Sequence, residues 1–271
     1  MLQFAANLST MFTEWDFLDR FSVAADQGFQ AVEFQFAEGQ PPEAILRQLE
    51  SARQTLVLFN ASPGDFAGGD RGLAALPHRA AEFRASIAQA MIFAEHLNAK
   101  AVHILAGVAD PADPEAQRAY RESLRFAVER LDGFEVLIEP LNRRDNPGYF
   151  LADFGLAAGV IADLGLPRLK LQYDIYHRQI LHGDVTVSLA ELKPIIGHVQ
   201  IAATPGRGEP GTGEVNDYMV LSRLEAIGYS GYVGCEYRPV KGTIAGLGWL
   251  DPWRRPRDGG AALVSTWRDR L

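Results

Sequence analysis

Val136-Leu137-Ile138-Glu139-Pro140-Leu141-Asn142 is a short apolar run that ends in a carboxylate and is then stopped by proline. Three later stretches repeat the pattern: Leu169-Lys170-Leu171-Gln172-Tyr173-Asp174, Ile196-Gly197-His198-Val199-Gln200 and Tyr232-Val233-Gly234-Cys235-Glu236. Each reads as a strand closed by an oxygen donor. The four donors stand 35, 26 and 36 residues apart, room for one strand, one helix and two loops, as a crossover between parallel strands requires. Parallel strands point the same way, so groups at their carboxyl ends meet at one mouth of the sheet. Three carboxylates and an amide gathered there repel one another unless a cation joins them. An all-oxygen set suits one hard divalent metal, Mg²⁺ first and Mn²⁺ as the alternative, better than zinc.

The flanking sequence supplies the remaining units. Ahead of the four quoted strands, others are expected over 2–6, 29–34, 55–59 and 101–105. Helices are expected over 14–27, ended by Gly28, over 42–53, opened by Pro41-Pro42, and over 77–97, 114–131, 152–164, 182–193 and 217–227. A last helix falls within 243–253. In the helix over 77–97, Phe83, Ile87, Ala90, Met91 and Ala94 recur at helical spacing and form a core stripe. Eight alternations of strand and helix in about 250 residues predict an α/β fold, a single (β/α)8 barrel. The barrel is expected over 1–255, with 256–271 left as a short C-terminal tail. The glycine-rich loop from Asn60 to Ala75 is long enough to serve as a lid or wall over the mouth.

Composition narrows the function classes. Hydrophobic residues at 47% and charged residues at 22% are those of a globular protein rather than a disordered or membrane chain. No apolar run reaches the ~18–20 residues of a spanning helix, and Met1-Leu2-Gln3-Phe4-Ala5-Ala6-Asn7 lacks the basic start of a signal peptide. A net charge of −8 argues against a nucleic-acid partner. Cys235 is the single cysteine, so no intrachain disulfide forms and a reducing cytoplasm is the expected home. A homo-oligomer is left open.

Glu139, Asp174, Gln200 and Glu236 are the candidate metal ligands, all at the functional ends of consecutive strands. His177, three residues past Asp174, is placed to hydrogen-bond a substrate hydroxyl, or else is an exposed loop histidine. Arg207, in Thr204-Pro205-Gly206-Arg207-Gly208-Glu209, is placed to grip a carboxylate or a phosphate, or to pair with Glu209. His198 shares a face with Gln200 and reads as a satisfied structural histidine, while Cys235 faces the opposite side from Glu236. None of the four lysines stands at the carboxyl end of a strand, so a Schiff base has no candidate.

These motifs resemble the hydroxypyruvate isomerases of the xylose-isomerase-like TIM-barrel superfamily over almost the whole chain. The resemblance is carried by Phe4-Ala5-Ala6-Asn7-Leu8-Ser9, Ile138-Glu139-Pro140, Tyr173-Asp174-Ile175-Tyr176-His177, His198-Val199-Gln200-Ile201-Ala202, Gly208-Glu209-Pro210-Gly211-Thr212-Gly213-Glu214 and Gly234-Cys235-Glu236-Tyr237. It implies metal ligation by Glu139, Asp174, Gln200 and Glu236, with Glu139 and Glu236 as proton donor and acceptor. Asn7, in the first motif, joins His177 and Arg207 as a substrate-binding candidate. The implied reaction converts hydroxypyruvate, a 2-oxo acid, to tartronate semialdehyde. A sister group isomerises four-carbon 2-oxo-tetronates, and Leu58-Phe59-Asn60-Ala61-Ser62-Pro63-Gly64-Asp65 with Val102-His103 looks like that group. Asp217 departs from the family, which usually has tyrosine there.

Overall fold

Period-two alternation sorts the strand residues into two environments, and the computed structural model, which describes residues 1–37 and 39–254, shows both. The strands are β1 (Gln3–Asn7), β2 (Ala31–Phe34), β3 (Thr55–Asn60), β4 (Ala101–His103), β5 (Glu135–Ile138), β6 (Leu169–Asp174), β7 (Ile196–Ile201) and β8 (Tyr232–Cys235). They pair in sequence order, all parallel, and β8 closes on β1 through Gln3↔Tyr232 to Ala6↔Cys235. The expected (β/α)8 barrel is therefore present. The tail expected from Pro256 lies outside the described residues.

Outward-facing residues such as Val32, Val102, Val136, Ile138, Val199 and Cys235 join the main core against the helices. Inward, a second and much smaller apolar cluster holds Ala5, Ala31, Leu58, Ala101 and Leu137. Two residues further along each of these strands, on the same face, stand Asn7, Glu33, Asn60, His103 and Glu139. The lumen thus has an apolar floor and a polar upper half.

The helices are α1 (Asp19–Asp26), α2 (Pro42–Ala52), α3 (Ala80–Leu97), α4 (Pro114–Arg130), α5 (Phe154–Leu164), α6 (Ile175–Leu181), α7 (Val185–Leu192), α8 (Asp217–Ala226) and α9 (Asp251–Arg254). Asp113, Asp153, Asp174 and Asn216 cap α4, α5, α6 and α8 by accepting from a first-turn N–H, each contact worth about 0.5–2 kcal/mol. Among the described residues no helix is long and apolar enough to cross a membrane.

Two expectations need correction. The first helix begins at Asp19 rather than at residue 14, because Glu14 instead accepts from the N–H and hydroxyl of Thr243 while Arg20 donates to the carbonyls of Leu8 and Trp15. The helix expected over 182–193 is present as α7, shortened to Val185–Leu192, because the chain breaks at Gly183 and Asp184, both at positive φ. Ahead of it stands a helix that was not expected, α6, which starts directly at the end of β6 where Asp174 caps it.

The loop from Asn60 to Ala75 is half anchor and half wall. Leu73, Ala74 and Ala75 are buried, and Gly72 bridges to Ala106 of the loop after β4. Phe66 is 45% exposed at the tip. Gly72 adopts φ +112°, and a Cβ there would stand 2.3 Å from the Leu105 carbonyl oxygen, so no side chain fits without moving the loop. Gly72→Ala is expected to cost roughly 1–3 kcal/mol and to speed proteolysis within residues 64–71. A thermal melt and a limited-digestion time course check this, and unchanged values in both would show that the anchor tolerates a side chain.

Candidate active site

The polar upper half of the barrel opens into a mouth cavity of about 820 Å³, lined by Asn7, Glu33, Gln35, Glu139, Tyr176, His177, Gln200, Arg207 and Glu236 among others. Phe66 and Arg71 of the loop after β3 form one wall. The four expected oxygen donors arrive on β5, β6, β7 and the end of β8, and all four are buried. Parallel closure of the barrel brings them to this one end.

Their electrostatics are those of crowded acids. Burial, reinforced by the carboxylates of Asp174 and Glu236, pushes the Glu139 carboxyl well above its ordinary range. Burial likewise pushes Asp174 up to about 7, against the opposing pull of Arg207. Arg207 is the cation of the set: its Nη2 lies 2.8 Å from Glu236 Oε2 and 3.5 Å from Asp174 Oδ2, and its guanidinium rests 5.0 Å over the Tyr176 ring. Glu236 Oε1 accepts from Gln35 Nε2 at 2.6 Å. Pairing of Arg207 with Glu209, one of the expectations, is not found; Glu209 accepts from the N–H of Val240 instead. Arg207 holds φ +55°, a left-handed conformation uncommon for a residue with a side chain. Its N–H donates to the Ala203 carbonyl and its own carbonyl accepts from the Arg238 N–H, which fixes that turn.

The hydrogen-bond partners decide what each histidine does. Glu139, Asp174 and His177 each offer an atom within 4.8 Å of the others. His177 is nevertheless a poor ligand. Its Nδ1 accepts from the Asn142 N–H at 2.9 Å, so the neutral ring carries its proton on Nε2, 3.7 Å from Asp174 Oδ2, and has no lone pair there to give. It is buried in the first turn of α6, not exposed in a loop. In His103, Nδ1 faces Asn60 Oδ1 at 3.1 Å. Burial lowers the pKa of that ring to about 3, so it stays neutral beside Glu139. His198 is satisfied by Glu33 at 2.7 Å, as expected of a structural histidine.

A divalent cation fits this donor set. Glu139 Oε1 and Asp174 Oδ2 are buried without a hydrogen-bond partner, so lone pairs are open on two of the four oxygen donors, and oxygen ligands of this kind select hard cations. Asn7 lines the mouth, with its amide engaged: Nδ2 donates to Glu33 and Oδ1 accepts from the Ser9 N–H. Asp217 accepts from the Gly211 N–H at 2.6 Å and ties the glycine-rich loop to α8. Cys235 packs in the outer core.

Three polar residues escaped the sequence reading. Gln35 follows β2, Glu33 lies within it, and Gln172 within β6; Gln172 Nε2 donates to both Glu139 Oε2 and Gln200 Oε1, at 3.0 and 2.7 Å. The signal for the two strand residues was available: a charge in Ala31-Val32-Glu33-Phe34 and an amide two residues before Asp174 are costly in a sheet covered on both faces unless they face a polar lumen.

Comparison with known proteins agrees with this fold. The family model described as xylose isomerase-like TIM barrel matches residues 21–253. The chain belongs to that family. It is 46% identical over 258 residues to a 2-oxo-tetronate isomerase of Cupriavidus necator, covering 93% of this chain and 99% of that one. It is 42% identical over 259 residues to the hydroxypyruvate isomerase of Escherichia coli, covering 94% and 100%. A crystal structure from Brucella melitensis, described as an AP endonuclease of family 2, superimposes with a TM-score of 0.91 at 42% identity, covering 94% of this chain and all of that one.

The raised pKa of Asp174 has a thermodynamic sign. A carboxyl near 7 in the folded chain and near 3.8 when unfolded contributes stability that is complete below the lower value and is lost as pH rises through the upper one. Without divalent cations, the wild type is therefore expected to lose more thermal stability between about pH 5.5 and pH 8 than Asp174→Asn, which carries no charge to desolvate. Added Mg²⁺ should restore the wild type at the higher pH and leave Asp174→Asn unmoved. Thermal melts with and without chelator at both pH values check this. Parallel pH profiles for the two proteins would mean that Asp174 is not the group responsible.

Proposed function

We propose that this protein is an isomerase of short 2-oxo hydroxy acids, interconverting hydroxypyruvate and tartronate semialdehyde. The observation that carries the reading is the pair Glu139 and Glu236, two buried carboxyl groups that enter one mouth from strands three apart, beside an oxygen donor set suited to Mg²⁺. Glu139, Asp174, Gln200 and Glu236 would hold the cation, which when bound supplies Lewis-acid stabilisation of the developing negative charge on oxygen.

The chain's own groups carry the protons. One of Glu139 and Glu236 removes the C3 proton of hydroxypyruvate, the O3 hydroxyl proton passes to O2 of the enediolate, and the other glutamate, protonated at the outset, gives its proton to C2. His177 presents Nε2–H as a hydrogen-bond donor to a substrate oxygen. Arg207, whose Nε is buried without a partner, has donors left for the substrate carboxylate, and Tyr176 supports its plane. Burial of the site keeps water away from the enediolate. A hydride shift is disfavoured because Leu141, not lysine, follows Glu139-Pro140.

A four-carbon substrate is the second reading, favoured by the likeness to the Cupriavidus necator enzyme and by a cavity far roomier than three carbons need. The nuclease suggested by the name of the Brucella melitensis structure is not favoured. That chemistry needs a histidine-rich metal centre and a basic face, whereas His177 and His198 are committed to Asn142 and Glu33, and the chain carries −8.

Comparing kcat/KM for hydroxypyruvate and for 2-oxo-tetronate with Mg²⁺-loaded protein tests the reading directly, and turnover of neither would end it. Glu139→Gln and Glu236→Gln should each lower kcat by roughly 10²–10⁴. In D₂O, solvent deuterium should enter at C2, whereas full retention of the substrate's own label would point to hydride transfer. Arg207→Ala should reduce kcat/KM for the acid at least about tenfold, from the loss of a charged hydrogen bond, and Arg207→Lys should lose much of the same. An uncharged ketose should respond to neither substitution. Equal losses for charged and uncharged compounds would make Arg207 a structural residue of its loop.

A further inference from the structure

We infer that Glu33 is a positioning residue that fixes which way the Gln200 amide faces, and through it sets the affinity of the site for a divalent cation. The inference rests on the reading of Gln200 as a ligand. Glu33 lies on β2, on the far side of the lumen from β6 and β7, and is 1% exposed. Its Oε1 accepts from Asn7 Nδ2 at 2.9 Å and from Gln200 Nε2 at 2.7 Å, and its Oε2 pairs with His198 Nε2 at 2.7 Å.

A carboxylate only accepts. The group that Gln200 turns toward Glu33 must therefore be its NH₂, which leaves the amide oxygen facing the opposite way, toward Gln172 Nε2 at 2.7 Å. The same Gln172 nitrogen donates to Glu139 Oε2, so the Gln200 oxygen is held on the side where Glu139 is. One lone pair of that oxygen takes the Gln172 hydrogen bond and the second is left for a cation. Were the amide turned over, it would present N–H groups to the cation instead, and a ligand would become a repulsive neighbour.

The barrel is built around this contact. Gly234 of β8 stands against the Glu33 carboxylate, and a Cβ added there would come within 2.2 Å of Oε2 and 2.4 Å of Oε1. The register between β2 and β3 shifts between Val32 and Glu33, at the residue concerned. Asn7 and His198 occupy the other acceptor positions, so the carboxylate is anchored before it meets Gln200.

Isothermal titration of chelator-treated, full-length protein with Mg²⁺ tests the inference in four proteins: wild type, Glu33→Gln, Gln200→Ala and the double variant. A glutamine at 33 keeps the shape and cannot accept three donors. Glu33→Gln is expected to weaken Mg²⁺ binding roughly ten- to a hundredfold, the usual cost of losing a partner that orients a ligand. In the Gln200→Ala background the same change should add less than about twofold, since effects that share one route do not add.

An unchanged Kd in Glu33→Gln, or an equal loss in both backgrounds, would overturn the inference, the latter showing that Glu33 acts by its charge alone. An unchanged Kd in Gln200→Ala would overturn the ligand reading and this inference with it. Circular dichroism of the cation-free proteins confirms folding. If Glu33→Gln does not fold, Gly234→Ala takes its place in the cycle, because it displaces the same carboxylate while leaving its charge.

Discussion

Acidic groups crowded together in a buried lumen are the constraint on which the rest of this structure depends. Glu33, Glu139, Asp174 and Glu236 are each at most 5% exposed, and taking a carboxylate out of water costs several kcal/mol unless something compensates. Compensation comes in layers. Glu33 takes three side-chain donors. Glu236 takes Gln35 and Arg207. Glu139 and Asp174 remain under-served, each with one oxygen unpartnered. The imbalance falls on two neighbouring groups whose free oxygens a cation could join.

The fold was readable because its decisive signals are local. Apolar runs closed by a donor and followed by a turn identify strands one at a time, and parallel pairing brings their ends together. The four donors followed from strand ends and their spacing, and the interior place of His198 and the outward-facing Cys235 from alternation. What escaped the reading depends on contacts between distant strands. Glu33 gave no local sign of its partners, because the donors that make it tolerable lie on β1 and β7. The short helix α6 was missed because the capping role of Asp174 was hidden behind its reading as a ligand. The state of His177 follows from a hydrogen bond to Asn142, 35 residues away, which no spacing rule reveals.

On the proposed function, chemistry and selectivity occupy different parts of the molecule. The groups assigned to proton transfer stand on strand ends held by pairing on both sides, whereas Arg207, Phe66 and Arg71 belong to loops. Such a division leaves the loops free to set the length of acid accepted while the acid set on the strands stays fixed. The anchor at Gly72 and the fixed turn at Arg207 keep the loops from being independent of the barrel, so their positions are inherited from it.

The contacts of Glu33 with His198 and Gln200 span 165 and 167 residues of chain, and this separation bears on how the protein assembles. Contacts so remote form only after the intervening units have been ordered and the loop-closure entropy has been met. Until β7 arrives, Glu33 is a charge without its main donors, so a half-barrel has no satisfied lumen and no place for a cation. A cation held by the proposed donor set would therefore bind only once synthesis is nearly complete, its uptake marking ring closure rather than guiding the steps before it.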